Sequence, residues 1–251
     1  MQVVSFGGGV NSTAMLVGLH EHGERPDAIL FADTGGEKPE TYRHVGIVND
    51  WCTSAGFPEI ETVTYSKGNG CPTLEQECLD NETLPSKAFG FGGCSQKWKR
   101  YPMDKWVLAN VSKDGERVVR LIGIHAGETR RGKIPDDAYF TYRYPLREWG
   151  WYQADCIVAH ERAGIPLPEK SACFFCPAMR KPEIIRLAKQ HPDLFERAVY
   201  LERNAIESGN LKTVKGLGRH WTWESLVRAD EQQLRLFDDC QAPLCDTCFD
   251  G

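Results

Sequence analysis

Residues 3–13 read VVSFGGGVNST, which is a short apolar run, three consecutive glycines and then polar residues typical of a helix start. The apolar run predicts a buried strand, and the spacing of Met15, Leu16 and Leu19 predicts a helix over residues 12–22. Glycines allow close approach to the backbone, and a helix N-terminus attracts anions, so the turn predicts a phosphate-binding loop. A tight strand-to-helix turn without a ligand is the alternative.

The alternation of strand and helix continues beyond this turn. Residues 28–32 (AILFA) predict a second strand, and Pro39 predicts the start of a helix that runs to about Trp51. Residues 61–65 and 117–124 predict a third and a fourth strand. Such alternation predicts an α/β fold with a doubly wound, mostly parallel sheet, whose binding sites lie at the carboxyl ends of the strands.

The second part of the chain has a helical pattern. Loops rich in Cys, Gly and Pro separate four segments with apolar residues at helical spacing, which are residues 153–163, 182–190, 192–208 and 222–237. We therefore predict an α/β domain over residues 1–150 and a helical, cysteine-rich extension over residues 151–251.

The composition excludes several classes of protein. With 251 residues, 41% of them hydrophobic, the chain is long and apolar enough to bury a core. A net charge of −5 argues against binding of duplex nucleic acid through bulk positive charge. No apolar run reaches 18 residues and the N-terminus lacks the pattern of a signal peptide, so we expect no membrane partner and a cytoplasmic location.

Ten cysteines in a cytoplasmic chain are more often metal ligands or reactive thiols than disulfides. Cys173 and Cys176 form a C-x-x-C pair, as do Cys245 and Cys248. Such a pair places two sulfurs close enough to bind one zinc ion or part of an iron–sulfur cluster. We expect the scattered cysteines to be small buried hydrophobic residues of the core. They are Cys52, Cys71, Cys78 and Cys156.

Residues 212–223 (KTVKGLGRHWTW) interleave basic and aromatic side chains. Such a mixture binds single strands of nucleic acid through phosphate contacts and base stacking. The alternative is a solvated loop beside buried tryptophans.

Five segments resemble, in order, the motifs of the phosphoadenosine phosphosulfate (PAPS) reductase family of the PP-loop superfamily. SFGGGVNST resembles the S-G-G-x-D-S loop of that superfamily, and FADTGGEKPETY (31–42) resembles the family's D-T-G-x-x-x-P-E-T segment. The other three are GCSQKWKRYPM (93–103), GIHAGETRRG (123–132) and YPLREW (144–149). The resemblance implies an adenine nucleotide alpha-hydrolase-like fold, and the cysteine-rich extension resembles phage and prophage members, for which the location would be the host cytoplasm.

The resemblance also implies roles for individual residues. Lys99 and Arg130 would face the phosphate or sulfonate end of the ligand, and Glu128 would orient an arginine or help to bind a metal. Solvated surface is the alternative for Lys99 and Arg130, and a turn cap is the alternative for Glu128. The implied nucleotide-binding residues are Ser5, Gly7, Gly8, Gly9, Asn11, Ser12, Thr13, Asp33 and Thr34.

The sequence departs from the family pattern at several positions. Gly7 replaces the first serine of the loop, Asn11 replaces its aspartate, and His125 stands where the family often has arginine. The E-C-G-L-H tail of the reductases is absent, and the chain ends CQAPLCDTCFDG. A relative that uses the same adenylate pocket is therefore favoured over a standard PAPS reductase.

In the iron–sulfur branch of the family, a cysteine at the position of Cys94 is combined with a later C-x-x-C. The resemblance thus implies a centre on Cys94, Cys173 and Cys176, with Cys245 or Cys248 as the fourth ligand. An iron–sulfur cluster of the 4Fe-4S type is favoured, and zinc is the alternative.

The function that we predict is binding of ATP, followed by sulfur transfer to an acceptor through its adenylation, with Mg²⁺ as a further candidate ligand. Nucleic acid is a candidate acceptor, and a sulfur donor or reductant protein would be a partner. The first alternative is a sulfonucleotide reductase that acts on PAPS or adenylylsulfate (APS), uses one of the tail cysteines as the nucleophile and releases sulfite. The second is a nucleotide-sensing or DNA-associated module without turnover. The oligomeric state stays open.

Overall fold

A computed structural model describes residues 1–66, 73–110, 117–129 and 131–239, with residues 234–239 described through their backbone alone. The chain divides into two compact units. An α/β unit comprises Met1–Glu77 and Gly92–Cys173, and a helical unit comprises Cys78–Phe91 and the chain from Phe174 onward.

The α/β unit contains a five-stranded sheet in which all neighbouring strands are parallel. The strand order is β3-β2-β1-β4-β5. The strands are β1 (Gln2–Phe6), β2 (Ala28–Asp33), β3 (Ile60–Thr64), β4 (Val118–Ile122) and β5 (Phe140–Arg143).

Helices connect the strands and continue beyond the sheet. In the first part of the chain they are α1 (Val10–Glu21), α2 (Pro39–Ser54), α3 (Leu74–Asp80), α4 (Gly93–Ser95) and α5 (Tyr101–Asn110). A 3₁₀ turn, Ser86–Phe89, precedes α4, and a π-helical segment, Gln96–Arg100, joins α4 to α5. The later helices are α6 (Pro145–Glu148), α7 (Gln153–Ala163), α8 (Lys181–Gln190), α9 (Pro192–Glu207) and α10 (Trp223–Asp239).

Both faces of the sheet are covered, because successive side chains of a strand point to opposite faces. Phe6 and Phe31 lie in one core with residues of α1, α2 and α7. Val3 and Leu30 lie in a second core with Met103 of α5. The predicted doubly wound α/β fold is therefore confirmed.

The four predicted strands are confirmed, with ends that differ by at most two residues from the expectation. Strand β5 was not predicted, because its sequence, FTYR, has a single buried residue and pairs with β4 alone. The four predicted helices of the second part are confirmed as α7 to α10.

The division into units differs from the boundary expected at residue 150. Helix α7 lies beyond that boundary, yet its residues Cys156 and Ala159 are fully buried in one core with α1. In the helical unit, the Asn204 side chain of α9 donates a hydrogen bond of 3.0 Å to the Leu79 carbonyl. Packing of residues distant in sequence thus places 151–173 in the α/β unit and 78–91 in the helical unit. Over the residues that the structure describes, no helix has the length and apolarity needed to span a membrane.

Candidate functional site

The site lies at the carboxyl edge of the sheet, where the strand order reverses. From β1 the chain builds β2 and β3 on one side and later β4 and β5 on the other. In such sheets the crevice between the loops that follow the two central strands binds ligands. Here those loops follow β1 at Gly7 and β4 at Gly123.

The loops after β1 and β4 approach each other closely. A methyl group added at Gly123 would lie 2.9 Å from the Asn11 carbonyl oxygen and 2.9 Å from the Ser12 Cα. Both are backbone atoms, so no side chain fits at position 123 without displacement of the first turn of α1. Gly123 lies in the GIHAGETRRG segment, but the resemblance to the family assigns it no role of its own.

The three glycines of the loop differ in what surrounds them. Gly8 has φ +66°, and a methyl group there would meet the Thr41 side chain at 3.1 Å. Gly9 is the N-cap of α1, and a methyl group there would lie 3.0 Å from the Ser171 hydroxyl. A methyl group at Gly7 would meet no atom closer than 3.8 Å. The loop therefore requires glycine at position 8, tolerates little at position 9 and accepts a small side chain at position 7.

The hydroxyl groups expected around the phosphates all have partners within the protein. The Ser12 hydroxyl accepts a hydrogen bond from the Gly9 amide and donates one of 3.0 Å to the Gly9 carbonyl. The Ser5 hydroxyl lies on β1 and accepts two hydrogen bonds, of 3.2 and 2.9 Å, from the buried Arg120 guanidinium. The donors best suited to an anion are therefore the backbone amides of the first turn of α1, which lack intrahelical partners.

Two buried histidines lie behind the loop. Thr13 shares a hydrogen bond of 3.0 Å with Nε2 of His44, whose ring stacks on that of His160 at 6.0 Å. The His160 Nε2 donates to the Val10 carbonyl at 3.0 Å, so this nitrogen carries the proton. Burial, with a smaller contribution from His160, lowers the pKa of His44 to about 4. His44 is therefore a neutral hydrogen-bond partner of α1 at neutral pH.

Asn11 stands where the loop pattern that the sequence resembles has an aspartate. Its Oδ1 is buried and has no hydrogen-bond partner in the described structure. A buried acceptor without a donor is costly, and bound ligands often supply the missing donor at such positions. A polar group of a ligand in the crevice fits this oxygen.

Asp33 and Thr34 lie at the end of β2. The Asp33 Oδ1 accepts hydrogen bonds of 2.8 Å from the Gly35 amide and from the Tyr42 hydroxyl. Burial and the hydrogen bond to Asp33 raise the pKa of Tyr42, so its hydroxyl remains a donor. Thr34 is buried, and its Oγ1 lies 3.1 Å from the Sγ of Cys173. The carboxylate of Asp33 and the hydroxyl of Thr34 thus lie at the edge of the sheet after β2, and the thiol of Cys173 lies beside them.

Lys99 reaches the same segment from the π-helical turn, a type of turn that is frequent at functional sites. Its ammonium lies 2.6 Å from Oε1 of Glu37, whose side chain is fully buried. The backbone of Glu37 also forms an isolated bridge with that of Cys173. The other carboxylate oxygen of Glu37 is buried without a partner in the described structure. Sequence reasoning named Lys99 but missed Glu37, because the acidic residue carries no pattern of its own.

The segment after β4 holds the remaining predicted residues. Glu128 lies 3.6 Å from the Arg131 guanidinium, and its carbonyl accepts a hydrogen bond of 2.7 Å from Arg147. The predicted roles of Glu128, which are orientation of an arginine, metal binding or a turn cap, stay predictions. Arg130 lies outside the described residues.

The predicted metal ligands are not assembled among the described residues. Cys94 is half-buried in α4, Cys173 is buried and Cys176 belongs to the helical unit. No group of three His, Cys, Asp or Glu that could hold a metal ion occurs in the part of the chain that the structure describes. Cys245 and Cys248 lie outside that part. The metal centre therefore stays a prediction.

Three of the scattered cysteines are buried, as expected. Burial raises the pKa of the Cys52 thiol to about 12 and, with a smaller contribution from Asp155, that of Cys156 to about 11. Cys78 is also buried, and Cys71 lies outside the described residues. Cys52 and Cys156 are thus protonated, unreactive core residues.

Comparison with known proteins adds one distant relative. No family model matches the chain. The uncharacterized protein MJ0066 of Methanocaldococcus jannaschii is 25% identical to this chain. The alignment is 244 residues long and covers 88% of this chain. The chain spans 45% of the length of that relative. These findings leave the assignment of a function to the chemistry of the site.

Proposed function

We propose that this protein is an enzyme of the PAPS reductase type that binds an adenine nucleotide over the adjoining loops after β1 and β4, at the carboxyl edge of the sheet. The observation that carries the proposal is the close approach of Gly123 to the backbone of Asn11 and Ser12, at the point where the strand order reverses. Ligands of doubly wound folds bind at this point. The buried, unpartnered Oδ1 of Asn11 supports a polar ligand there.

The phosphates would lie on the amides of the loop and of the first turn of α1. Their N–H groups point outward from a helix N-terminus and stabilise negative charge that develops at the α-phosphate. Lys99 would supply a positive charge from its position beside Glu37. Asp33 and Thr34 would lie near the nucleoside, as the resemblance to the family implies.

The favoured reaction is sulfur transfer through adenylation. An acceptor oxygen attacks the α-phosphate of ATP, the bond to the β-phosphate breaks and pyrophosphate leaves. A sulfur nucleophile then attacks the acceptor atom that carries the adenylate, and AMP leaves with the former acceptor oxygen. The sulfur comes from a donor protein, and nucleic acid is the proposed class of acceptor.

The alternative reaction is reduction of a sulfonucleotide, and the position of Cys173 favours it. Its thiol lies 3.1 Å from Thr34 at the predicted nucleotide edge. In this reaction a thiolate attacks the sulfur of PAPS or APS and expels the nucleotide phosphate. A reductant thiol then attacks the cysteine sulfur, which releases sulfite and leaves a mixed disulfide.

A metal centre on Cys94, Cys173 and Cys176, completed by Cys245 or Cys248, is a separate part of the proposal. The described residues alone do not form a complete site, so sulfur transfer is proposed without it. A Cys173 that binds the metal would leave the nucleophile of the reductase reaction to another cysteine, such as one of those in the C-terminal tail. A 4Fe-4S cluster would make anaerobically purified protein brown, whereas a zinc site would leave it colourless with one zinc per chain. Two results would contradict the centre. One is a parent protein that contains no metal, and the other is full metal retention in the Cys173→Ser, Cys176→Ser double variant.

Analysis of the products distinguishes the reactions. Anaerobically purified protein is incubated with ATP, a sulfur donor and single-stranded nucleic acid as the acceptor, or with PAPS or APS and a thiol reductant. Release of pyrophosphate from ATP supports sulfur transfer, and release of sulfite supports the reductase. Nucleotide binding without either product would contradict an enzyme and support a nucleotide-sensing module. No binding of any of these nucleotides would contradict the proposed site.

A further inference from the structure

The segment over residues 212–223 forms a tightly held loop in the helical unit. The Lys215 amide donates to the Arg219 carbonyl at 2.7 Å, and the Arg219 amide donates to the Gly216 carbonyl at 2.9 Å. From α9, the buried Glu202 carboxylate accepts hydrogen bonds from the amides of Leu217 at 2.6 Å and Trp223 at 3.0 Å. One side chain thus holds the middle and the end of the loop.

The backbone of this loop is also conformationally restricted. A methyl group at Gly216 would collide with the Glu202 carboxylate, and one at Gly218 would collide with the Trp221 ring. Arg219 has φ +67°, a conformation that residues other than glycine rarely adopt. Strained residues of this kind cluster at functional sites, where the surrounding structure maintains them.

The loop has an apolar inner side and a basic outer side. Val214, Leu217 and Trp223 are buried. Exposed positions of the loop carry Lys212, Lys215, Arg219 and His220. The fixed backbone therefore presents positive charge to solvent.

The basic surface extends from the loop to α8. The Lys181 ammonium lies 5.5 Å from the centre of the Trp221 ring, a cation–π contact. Lys181 also lines a groove between α8 and α10, together with Arg186 and with Lys189, whose ammonium lies 3.5 Å from the Asp230 carboxylate in the same groove. Residues 180–220 carry nine Lys or Arg against five Asp or Glu, whereas the whole chain carries 30 against 35. Positive charge is thus concentrated in this part of the helical unit.

An exposed aromatic ring lies beside the loop. The Arg219 side chain donates to the Ala88 carbonyl at 3.0 Å, and its guanidinium lies against Gly90. The next residue, Phe91, is 69% exposed. An exposed aromatic face, one residue beyond the contact between Gly90 and Arg219, suits the stacking of a base.

We propose that this surface, formed by Phe91, Lys181, Lys189, Lys215 and Arg219, binds single-stranded nucleic acid. Cations along the surface fit successive phosphates, and Phe91 provides an aromatic face that a base in a duplex cannot reach. Only the further statement that the bound strand is the acceptor of the sulfur rests on the proposed function. Binding itself does not depend on it.

The test is fluorescence anisotropy with a 5′-labelled 15-mer of oligodeoxythymidine at low salt. Lys181→Glu, Lys215→Glu should weaken binding by at least tenfold, and Phe91→Ala should weaken it by about fivefold. Lys105→Glu, an exposed position of α5 in the α/β unit, is the matched control and should change affinity by less than twofold. Affinity of the parent should fall steeply with added salt.

Two results would overturn the inference. One is equal oligonucleotide affinity in the parent, the Lys181→Glu, Lys215→Glu variant and Lys105→Glu, and the other is a 15-base-pair duplex that binds as tightly as the single strand. ATP affinity, measured in parallel, separates this failure from that of the proposed function. Failure to bind the strand while ATP still binds would contradict the helical surface alone. Failure to bind ATP while the strand still binds would contradict the nucleotide site at the loop after β1 alone.

Discussion

Buried titratable side chains lie behind both the loop after β1 and the loop over residues 212–223 and hydrogen-bond to them. His44 shares a hydrogen bond with Thr13 in the first, and Glu202 accepts backbone hydrogen bonds in the second. Burial disfavours the charged form of both groups. It therefore lowers the pKa of His44 to about 4 and raises that of Glu202 to about 7. The same physical cause predicts opposite pH dependences for the two regions.

Glu202 should make the helical unit less stable as the pH rises. The unfolded chain ionises this carboxyl near 4.5, whereas burial, reinforced by Glu224, keeps it protonated in the folded state up to about pH 7. Its contribution is therefore complete below pH 4.5 and is lost as the pH rises through 7, by up to about 3 kcal/mol. Urea unfolding of the parent and of Glu202→Gln at pH 5, 6.5 and 8 measures this contribution.

The comparison of the parent with Glu202→Gln isolates the titration of Glu202, because every other titrating group is the same in both proteins. Glutamine loses one acceptor oxygen, which costs about 1 kcal/mol at pH 5. The difference in unfolding free energy should then shrink and reverse by pH 8. A difference that stays constant with pH would contradict the account of Glu202.

His44 should act in the opposite direction. The unfolded chain protonates this imidazole near pH 6.5, and the folded protein does so only near 4. Its contribution is present above pH 6.5 and is lost as the pH falls through 4, again by up to about 3 kcal/mol. Hydrogen exchange of the peptide that contains Thr13 should therefore accelerate below pH 5 relative to His44→Gln, after correction for intrinsic rates. His220→Gln, at an exposed position, should follow the parent.

Gly123 should be the most sensitive position for nucleotide binding. The methyl group of Gly123→Ala would displace the first turn of α1, so ATP should bind at least about 30-fold more weakly, a loss of about 2 kcal/mol. Gly7→Ala places a methyl group in ordinary van der Waals contact, 3.8 Å from the Ser12 hydroxyl, and should change affinity by less than about twofold. Isothermal titration of ATP measures both, and equal affinities of the two variants would refute the proposed crevice.

Lys99 should contribute less than Gly123. Lys99→Met should weaken ATP binding by about tenfold at low salt, and the loss should shrink as salt screens the charge. Removal of the lysine also leaves a buried carboxylate without its cation, so the Glu37→Gln, Lys99→Met double variant is included to preserve the fold. If the double variant binds ATP like the parent, Lys99 serves the fold alone.

The α/β fold and its loop could be predicted because their signals are local. β1 and β2 are short apolar runs that end in glycine or polar residues, and α1 and α2 follow with helical spacing. Strand β5 could not be predicted, because three of its four residues are half-buried and it lies at an edge of the sheet.

The groups that hold the site could not be predicted because they come from distant parts of the chain. His160 lies 150 residues from Val10, and Glu37 lies 62 residues from Lys99. None of these single polar residues forms a pattern with its neighbours in sequence. Distant partners also occupy two of the hydroxyls predicted to contact phosphate, those of Ser5 and Thr13, whereas the partner of Ser12 is the nearby Gly9.

Hydrogen–deuterium exchange with and without saturating ATP tests the central claim most directly, because it examines both loops in one experiment. The account predicts that ATP slows exchange in peptides that cover residues 7–13 and 123–129 and leaves residues 212–223 unchanged. Protection confined to residues 212–223, or no protection of residues 7–13 at saturation, would contradict it.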